Sequence, residues 1–183
     1  MYDRLEQAMI YAQSHQRWVG VAFIDLDHFK LINDGIGHYV GDQVLTTVAK
    51  RLKTTVRAID TVARLGGDEF VVVLYDLAQG DTDDTIVNFL QRLLDVVRQP
   101  AMIADQEFNL TCSIGFSLYP QDGRDAETLL RNADTAMYRA KEQGRDNFQF
   151  YTPAMRERLS ERLILESSLR QALTRQEFVL HYQ

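Results

Sequence analysis

Arg64-Leu65-Gly66-Gly67-Asp68-Glu69-Phe70 runs straight into Val71-Val72-Val73-Leu74. Two consecutive glycines between Val62-Ala63-Arg64 and an apolar, strand-like run predict a tight hairpin, because glycine accepts the positive φ that such turns demand. The tip of that hairpin lets backbone approach a ligand closely and carries two adjacent acids. A turn that presents carboxylates suits metal-bound phosphate, although the same four residues taken alone also describe a solvated turn. Their surroundings have to decide.

Outward from the hairpin, hydrophobic periodicity lays out a mixed fold. Residues 2–17 carry Leu5, Met9, Ile10 and Ala12 in a helix-like pattern, and Val19-Gly20-Val21-Ala22-Phe23-Ile24 reads as a buried strand ending in Asp25-Leu26-Asp27. Over residues 41–57, Val44, Leu45, Val48, Ala49, Leu52 and Val56 recur at three- and four-residue steps, giving a helix with one apolar face. Beyond the hairpin, Asp81-Thr82 can cap a helix carrying Ile86, Phe89, Leu90, Leu93, Leu94 and Val97, which ends before Pro100. Two strands are expected within residues 101–119, joined near Asp105-Gln106. Asp125 can cap a further helix through Leu129, Leu130, Ala133, Met137 and Ala140 that stops at Gly144, and residues 147–151 read as a last short strand. Hairpins beside crossover connections predict an α/β (α+β) sandwich with a central, mostly antiparallel sheet flanked by helices.

The core of that sandwich is expected to close near Tyr151, making residues 1–151 one domain. Thr152-Pro153 is a helix start, and residues 152–175 read as a charged linker helix with Leu159, Leu163, Leu169 and Leu173. Residues 176–183 begin a strand pattern. A chain of 183 residues has room for one well-buried domain and only part of a second. Its 26 acidic and 20 basic residues leave a formal charge of -6, which argues against nucleic acid as a partner but not against a small anionic ligand. The single Cys112 lies in an apolar, alternating stretch and reads as a buried, inert thiol, consistent with a reducing compartment. No apolar run reaches the roughly 18 residues of a membrane span and no signal peptide is visible. The expected location is the cytoplasm, with membrane anchoring of a parent protein through a preceding region left open.

The second chemical feature is Asp25-Leu26-Asp27-His28-Phe29-Lys30-Leu31-Ile32-Asn33-Asp34. Two acids at a strand end are followed by a lysine, an asparagine and a third acid, and strand ends are where α/β folds collect functional groups. If the Asp68 hairpin lies beside this strand, the two can share Mg²⁺, a hard cation satisfied by one or two carboxylates plus waters and substrate phosphates. Lys30 would then add positive charge near those phosphates. Asp25 and Asp27 can equally be acids that merely end a strand or cap a turn.

Asp-Leu-Asp-His-Phe-Lys, Asn33-Asp34, Gly37-His38, Gly41-Asp42, Ala63-Arg64-Leu65-Gly66-Gly67-Asp68-Glu69-Phe70 and Met137-Tyr138-Arg139-Ala140-Lys141-Glu142-Gln143-Gly144-Arg145 together resemble the GGDEF family of diguanylate cyclases, in order, from about residue 2 to 151. The resemblance implies a palm-like nucleotidyl-cyclase fold with a sheet of five or more strands. It also implies condensation of two GTP into cyclic di-GMP and two pyrophosphates, in bacterial second-messenger signalling. It assigns Asp25, the Leu26 carbonyl and Asp68 to Mg²⁺ or Mn²⁺, with Glu69 adjacent in the same acidic turn, and gives the catalytic roles to Asp68, Glu69 and Lys30, Asp68 first and Glu69 second to assist deprotonation. His28, Phe29 and Lys30 match the phosphate-binding segment, Phe29 through its backbone with its ring in the core. Lys141 and Arg145 match further phosphate contacts, and standing four apart near a helix end they are expected to share a helix face and reach the same phosphate region. Asn33 and Asp42 correspond to guanine contacts, and a carboxylate that accepts from guanine N1–H and the 2-amino group would select GTP over ATP. Each domain of this family holds one GTP, so the resemblance implies a homodimer in which two domains face each other.

Arg57-Ala58-Ile59-Asp60 stands before the hairpin at the spacing of the family's RxxD inhibitory site for cyclic di-GMP. An arginine fork suits phosphate or a guanine edge, and the same four residues also fit a helix-end arginine before a turn aspartate. Leu169 to Leu173 and Glu177-Phe178-Val179-Leu180-His181-Tyr182-Gln183 resemble the linker and first strand of an EAL phosphodiesterase domain, implying a GGDEF–EAL parent chain. The Leu-Thr-x-Leu-x-Asn-Arg stretch usual before the first helix is missing, which implies weak or absent activity for this chain alone. The alternative is a catalytically silent domain that binds GTP or cyclic di-GMP and controls an attached EAL domain.

Overall fold

The computed structural model describes residues 1–78, 83–155 and 172. The strand read from Val19 onward is β1 (Trp18–Leu26), and it is buried along nearly its whole length because helices cover both of its faces. The glycine hairpin joins β2 (Thr61–Gly66) to β3 (Glu69–Leu77), with Gly67 at φ 51° in the turn. With β6 (Cys112–Tyr119) and β7 (Phe148–Phe150) these strands form a five-stranded sheet in the order β2-β3-β1-β6-β7. Every pairing in it is antiparallel except β6 with β7, so the expected mostly antiparallel sheet is what forms.

Alternation along the strands sorts side chains onto two faces. Ala22, Ile24, Phe70, Val72 and Leu74 pack with α3 (His38–Thr55) and α4 (Asp83–Arg98), and Phe29 of α2 (Phe29–Ile36) joins the same cluster. Val19, Val21, Phe23, Val71 and Val73 pack with α1 (Tyr2–His15) and α5 (Ala126–Glu142). Phe70, about 1% exposed, illustrates the driving force, since burying such a side chain contributes about 2–3 kcal/mol. Asp125 caps α5 as expected, its side chain accepting the Thr128 N–H at 2.7 Å. At Gly115 in β6 the backbone of α5 lies directly overhead, and a Cβ there would collide with Ala133 O and Met137 N.

Two expectations need correction. Residues 101–119 hold three strands rather than two: β4 (Ala101–Ile103) and β5 (Gln106–Phe108) make a separate two-stranded hairpin, and β6 follows as a strand of the main sheet. The expected join near Asp105-Gln106 falls at the β4–β5 turn, where Ala104 and Asp105 both have positive φ; the extra strand comes from a break at 109–111, which the buried alternation of Phe108, Leu110 and Cys112 conceals. Arg145 lies beyond α5, which ends at Glu142, so it does not share a helical i, i+4 face with Lys141.

The chain divides into Met1–Tyr151 and Thr152–Gln183. Residues 153–155 are helical after Thr152, whose carbonyl accepts the Met155 N–H at 2.9 Å. Apart from these and residue 172, the expected linker helix and the strand at 176–183 lie outside the described residues, as does the Asp81-Thr82 cap. Among the described residues no helix is long and apolar enough to cross a membrane.

Candidate active site

The antiparallel register of β1 and β3 sets Asp25 directly opposite Glu69. Both have the parity of Phe23 and Val71, so both face the side covered by α5. From α5, Lys141 reaches back and places Nζ 2.8 Å from Asp25 Oδ2. The hairpin tip is tied to the same strand end, because Leu26 N–H donates to Asp68 O at 3.3 Å. Arg64 braces the tip from the other strand, its Nε donating to Gly67 O at 2.9 Å. Asp25, Leu26, Asp68, Glu69 and Lys141 thus meet at one end of the sheet although they come from three separate elements.

Charge is out of balance there. Burial pushes the Asp25 carboxyl above its ordinary value; Lys141 pulls it back down, while Asp68 and Asp27 add to the rise. Glu69 is raised for the same first reason, burial, and then by Asp25, Asp134 and Asp68. Asp134 was not singled out from the sequence. It stands on α5 two turns before Lys141, a spacing that puts the two on one helix face and could have revealed it.

The donor set fits Mg²⁺. Asp25, Glu69, Asp68 and the Leu26 carbonyl supply hard oxygens, and the surplus negative charge is what a divalent cation would relieve. Among the described residues no three His, Cys, Asp or Glu side chains converge as a ready-made cage. Mg²⁺ asks for less when phosphates complete its shell, so the fit is to an ion that arrives with a nucleotide.

Asp27, two residues along, behaves differently. Its carboxylate accepts from Thr111 Oγ1 and Ser113 Oγ, each at 2.7 Å, and from Asp146 N–H at 3.1 Å. This acid is fully engaged inside the fold. Cys112 beside it is buried, and burial pushes its thiol well above the ordinary range, as the inert reading expects.

The remaining nucleotide candidates sit on α2 and α3. His28, at φ 58°, turns the chain into α2, so the Phe29 and Lys30 amides open the helix without intrahelical acceptors while the Phe29 ring enters the core. Lys30 is exposed on that first turn. Asn33 lies against α3: a Cβ at Gly41 would overlap its Oδ1, so glycine is what lets the Asn33 amide approach the residue before Asp42. Asp42 is exposed and borders an open groove of about 470 Å³ with Tyr39, Thr46 and Lys50.

Arg57 and Asp60 lie apart from these. They attach to Tyr75, six residues along β3 from Glu69, or roughly 20 Å of strand. Asp60 accepts from Arg57 N–H, Arg57 Nε and Tyr75 N–H at 3.0, 3.1 and 3.0 Å, while Arg57 Nη2 donates to Tyr75 O at 2.9 Å. The pair borders a groove of about 230 Å³ with Phe89 and Arg92 of α4, the second arginine being one that sequence reading did not connect to this place. Asp60 therefore holds Arg57 and the strand edge, and its carboxylate is already occupied.

A family model described as diguanylate cyclase, GGDEF domain, matches residues 1–147. The bifunctional diguanylate cyclase/cyclic di-GMP phosphodiesterase MucR of Pseudomonas aeruginosa is 45% identical over 181 residues, 99% of this chain and 26% of MucR. The cyclic di-GMP phosphodiesterase PdeR of Escherichia coli is 39% identical over 183 residues, all of this chain and 27% of PdeR. The chain thus spans about a quarter of the length of these curated relatives. The structure of a delta-N mutant of TpbB from Pseudomonas aeruginosa, comprising only its GGDEF domain, superposes with a TM-score of 0.82 at 36% identity, covering 87% of this chain and 91% of that one.

Proposed function

The chain belongs to the GGDEF family of diguanylate cyclases, and from that premise we propose that it condenses two GTP into cyclic di-GMP and two pyrophosphates as a homodimer with Mg²⁺. The observation that carries this reading is the meeting of Asp25, Glu69, Leu26, Asp68 and Lys141 at one sheet end, with surplus negative charge. In this reading Asp25, the Leu26 carbonyl and Asp68 hold the cation, Glu69 standing beside them. When bound, Mg²⁺ neutralises the triphosphate and lowers the pKa of the attacking hydroxyl. The amides of Phe29 and Lys30, the Lys30 ammonium, Lys141 and Arg145 take the phosphates, with His28 turning the chain toward them. Lys141 releases Asp25 for this, exchanging a carboxylate for phosphate oxygens. Asn33 and Asp42 read the guanine edge, Asp42 accepting its two donors.

The 3′-oxygen of one GTP attacks the α-phosphorus of the other, the P–O bond to pyrophosphate breaks, and in this reading Asp68, with Glu69 second, accepts the hydroxyl proton. Two such steps close the ring. Each domain positions one nucleotide, so the reacting partner arrives on a second copy and proximity is set by dimerisation. Residues 152–175 serve as a linker and 176–183 as the start of an EAL domain, giving a parent chain that couples synthesis to a phosphodiesterase module. Product binds the groove of Arg57 and Arg92, where two guanidinium groups suit phosphates or guanine edges, with Asp60 holding Arg57 in place. Calorimetry showing no cyclic di-GMP binding in that groove, with Arg57→Ala unchanged, would sink the inhibitory assignment.

The deciding experiment incubates an artificially dimerised chain with GTP and Mg²⁺ and separates products by chromatography. Cyclic di-GMP is expected, and an Asp68→Ala variant with full synthesis would refute the site. A second reading, a silent domain that binds GTP or cyclic di-GMP and controls an attached EAL module, is favoured by the similarity, over all of this chain and 27% of the relative, to a protein named only as a phosphodiesterase. Measurable GTP affinity without product selects it.

A further inference from the structure

The turn after α5 is held in an unfavourable backbone conformation by side chains that reach it from different elements. Gly144, Arg145 and Asp146 have φ of 108°, 64° and 49°, so two successive non-glycine residues lie in the left-handed region, where Cβ crowds the backbone. Such a run persists only where its surroundings over-determine it. From the end of β1, Asp27 accepts the Asp146 N–H at 3.1 Å. From the last residue of α4, Arg98 donates Nε to Asp146 Oδ1 at 2.8 Å and Nη2 to Asp146 O at 3.0 Å. Asn147 closes the turn from within, its Nδ2 donating to Arg145 O at 2.7 Å and Ala140 O at 2.9 Å. All this bracing converges on a turn whose exposed cation is Arg145.

Resting on the reading of Arg145 as a phosphate contact, we propose that Arg98 and Asp27 are positioning residues for the triphosphate: together they fix the turn at 144–146 against the end of β1, so that Arg145 meets the phosphates beside Asp25 and Leu26. Neither touches the nucleotide. Asp27 is not a third acid of the metal set, because Thr111, Ser113 and Asp146 already use its oxygens. It ties the strand end that bears the metal ligands to the turn that reads phosphate. Arg98 fixes the same turn from α4 with a planar, two-point fork that a lysine reproduces only as a point charge.

The test is equilibrium binding of 3′-deoxy-GTP with Mg²⁺ to the 183-residue chain, with GMP as a single-phosphate probe beside it. The 3′-deoxy nucleotide lacks the attacking hydroxyl and does not turn over. Arg145→Ala is expected to weaken 3′-deoxy-GTP about tenfold and Arg98→Gln about fivefold, with the double variant no weaker than Arg145→Ala and GMP affinity unchanged throughout. Arg98→Lys recovers part of the loss. Asp27→Asn is expected to follow Arg98→Gln; since Asp27 is buried, its folding is checked by thermal melting, and the partly exposed Arg98 keeps the test decisive if that variant does not fold. Equal losses for GMP and 3′-deoxy-GTP, or additive losses in the double variant, overturn the positioning role. If Arg145→Ala leaves 3′-deoxy-GTP binding intact, the phosphate reading falls and the positioning role with it. If Arg145→Ala weakens binding and Arg98→Gln does not, only the positioning role falls.

Discussion

At one end of β3 the Asp60 carboxylate, 3% exposed, is met by two backbone N–H groups and the Arg57 guanidinium; at the other end Asp25, 7% exposed, has Lys141 as its ion partner while Glu69 stands opposite and Asp68 adds its charge. Both are buried aspartates beside a cation. Around Asp60 the donors balance the charge, and the result is a lock that joins the β2 entry to β3. Around Asp25 the acids outnumber the donors, which no requirement of folding explains. Burial of a carboxylate is therefore a poor guide to function here, and the balance of donors against acids is a better one.

The widest separation between the two ends should appear in catalysis. Asp25→Ala is expected to cut cyclic di-GMP synthesis by a dimerised chain about a thousandfold or more, read by chromatography, while Asp60→Ala in the molecules that remain folded spares the initial rate. Stability should show the opposite order. Asp60→Ala leaves the Tyr75 and Arg57 amides and a guanidinium without their acceptor and is expected to cost about 3 kcal/mol in urea unfolding, whereas Asp25→Asn without metal stays within about 1 kcal/mol. Equal costs would erase the distinction.

Metal sharpens it further. At ten times its dissociation constant, 3′-deoxy-GTP with Mg²⁺ is expected to stabilise the folded chain by about 1.4 kcal/mol, measured as a rise in Tm, and the same concentration to do so less in Asp25→Asn. The smallest effect is the pH dependence. Asp25 and Glu69 are raised above 3.8 and 4.5, so the folded state holds those protons more tightly than the unfolded state does. Stability of the metal-free chain should then fall as pH climbs from those ordinary values through the raised ones. A metal-free Tm that rises across that window in the wild type and not in Asp25→Asn would reverse the sign of the argument.

Much of this was legible in the residues. Helical spacing found the covering helices, the double glycine found the hairpin, and the nearly unbroken apolar run from Val19 found a strand covered on both faces. The turn near Asp105 was legible, but the break at 109–111 that separates β5 from β6 escaped, because Phe108, Leu110 and Cys112 carry the buried alternation straight through it. At the site, residue types and order pointed to Asp25 and Asp68 and the family resemblance to Lys141, but their meeting depends on strand register and on α5 crossing β6, which no local pattern encodes. Asp60 shows the same limit from the other side. Its sequence spacing suggests a ligand contact, while only the fold reveals that Tyr75 N–H and Arg57 already use its oxygens.

Gly115 pairs with Phe23, two residues before Asp25, and sits beneath the backbone of Ala133 and Met137. It works as a shim of zero thickness. One added methyl would act as a wedge under α5, and the lever it lifts carries Lys141 near its far end. The gap across which Lys141 reaches Asp25 is thus gauged by a missing carbon atom that bears no charge and touches neither of them.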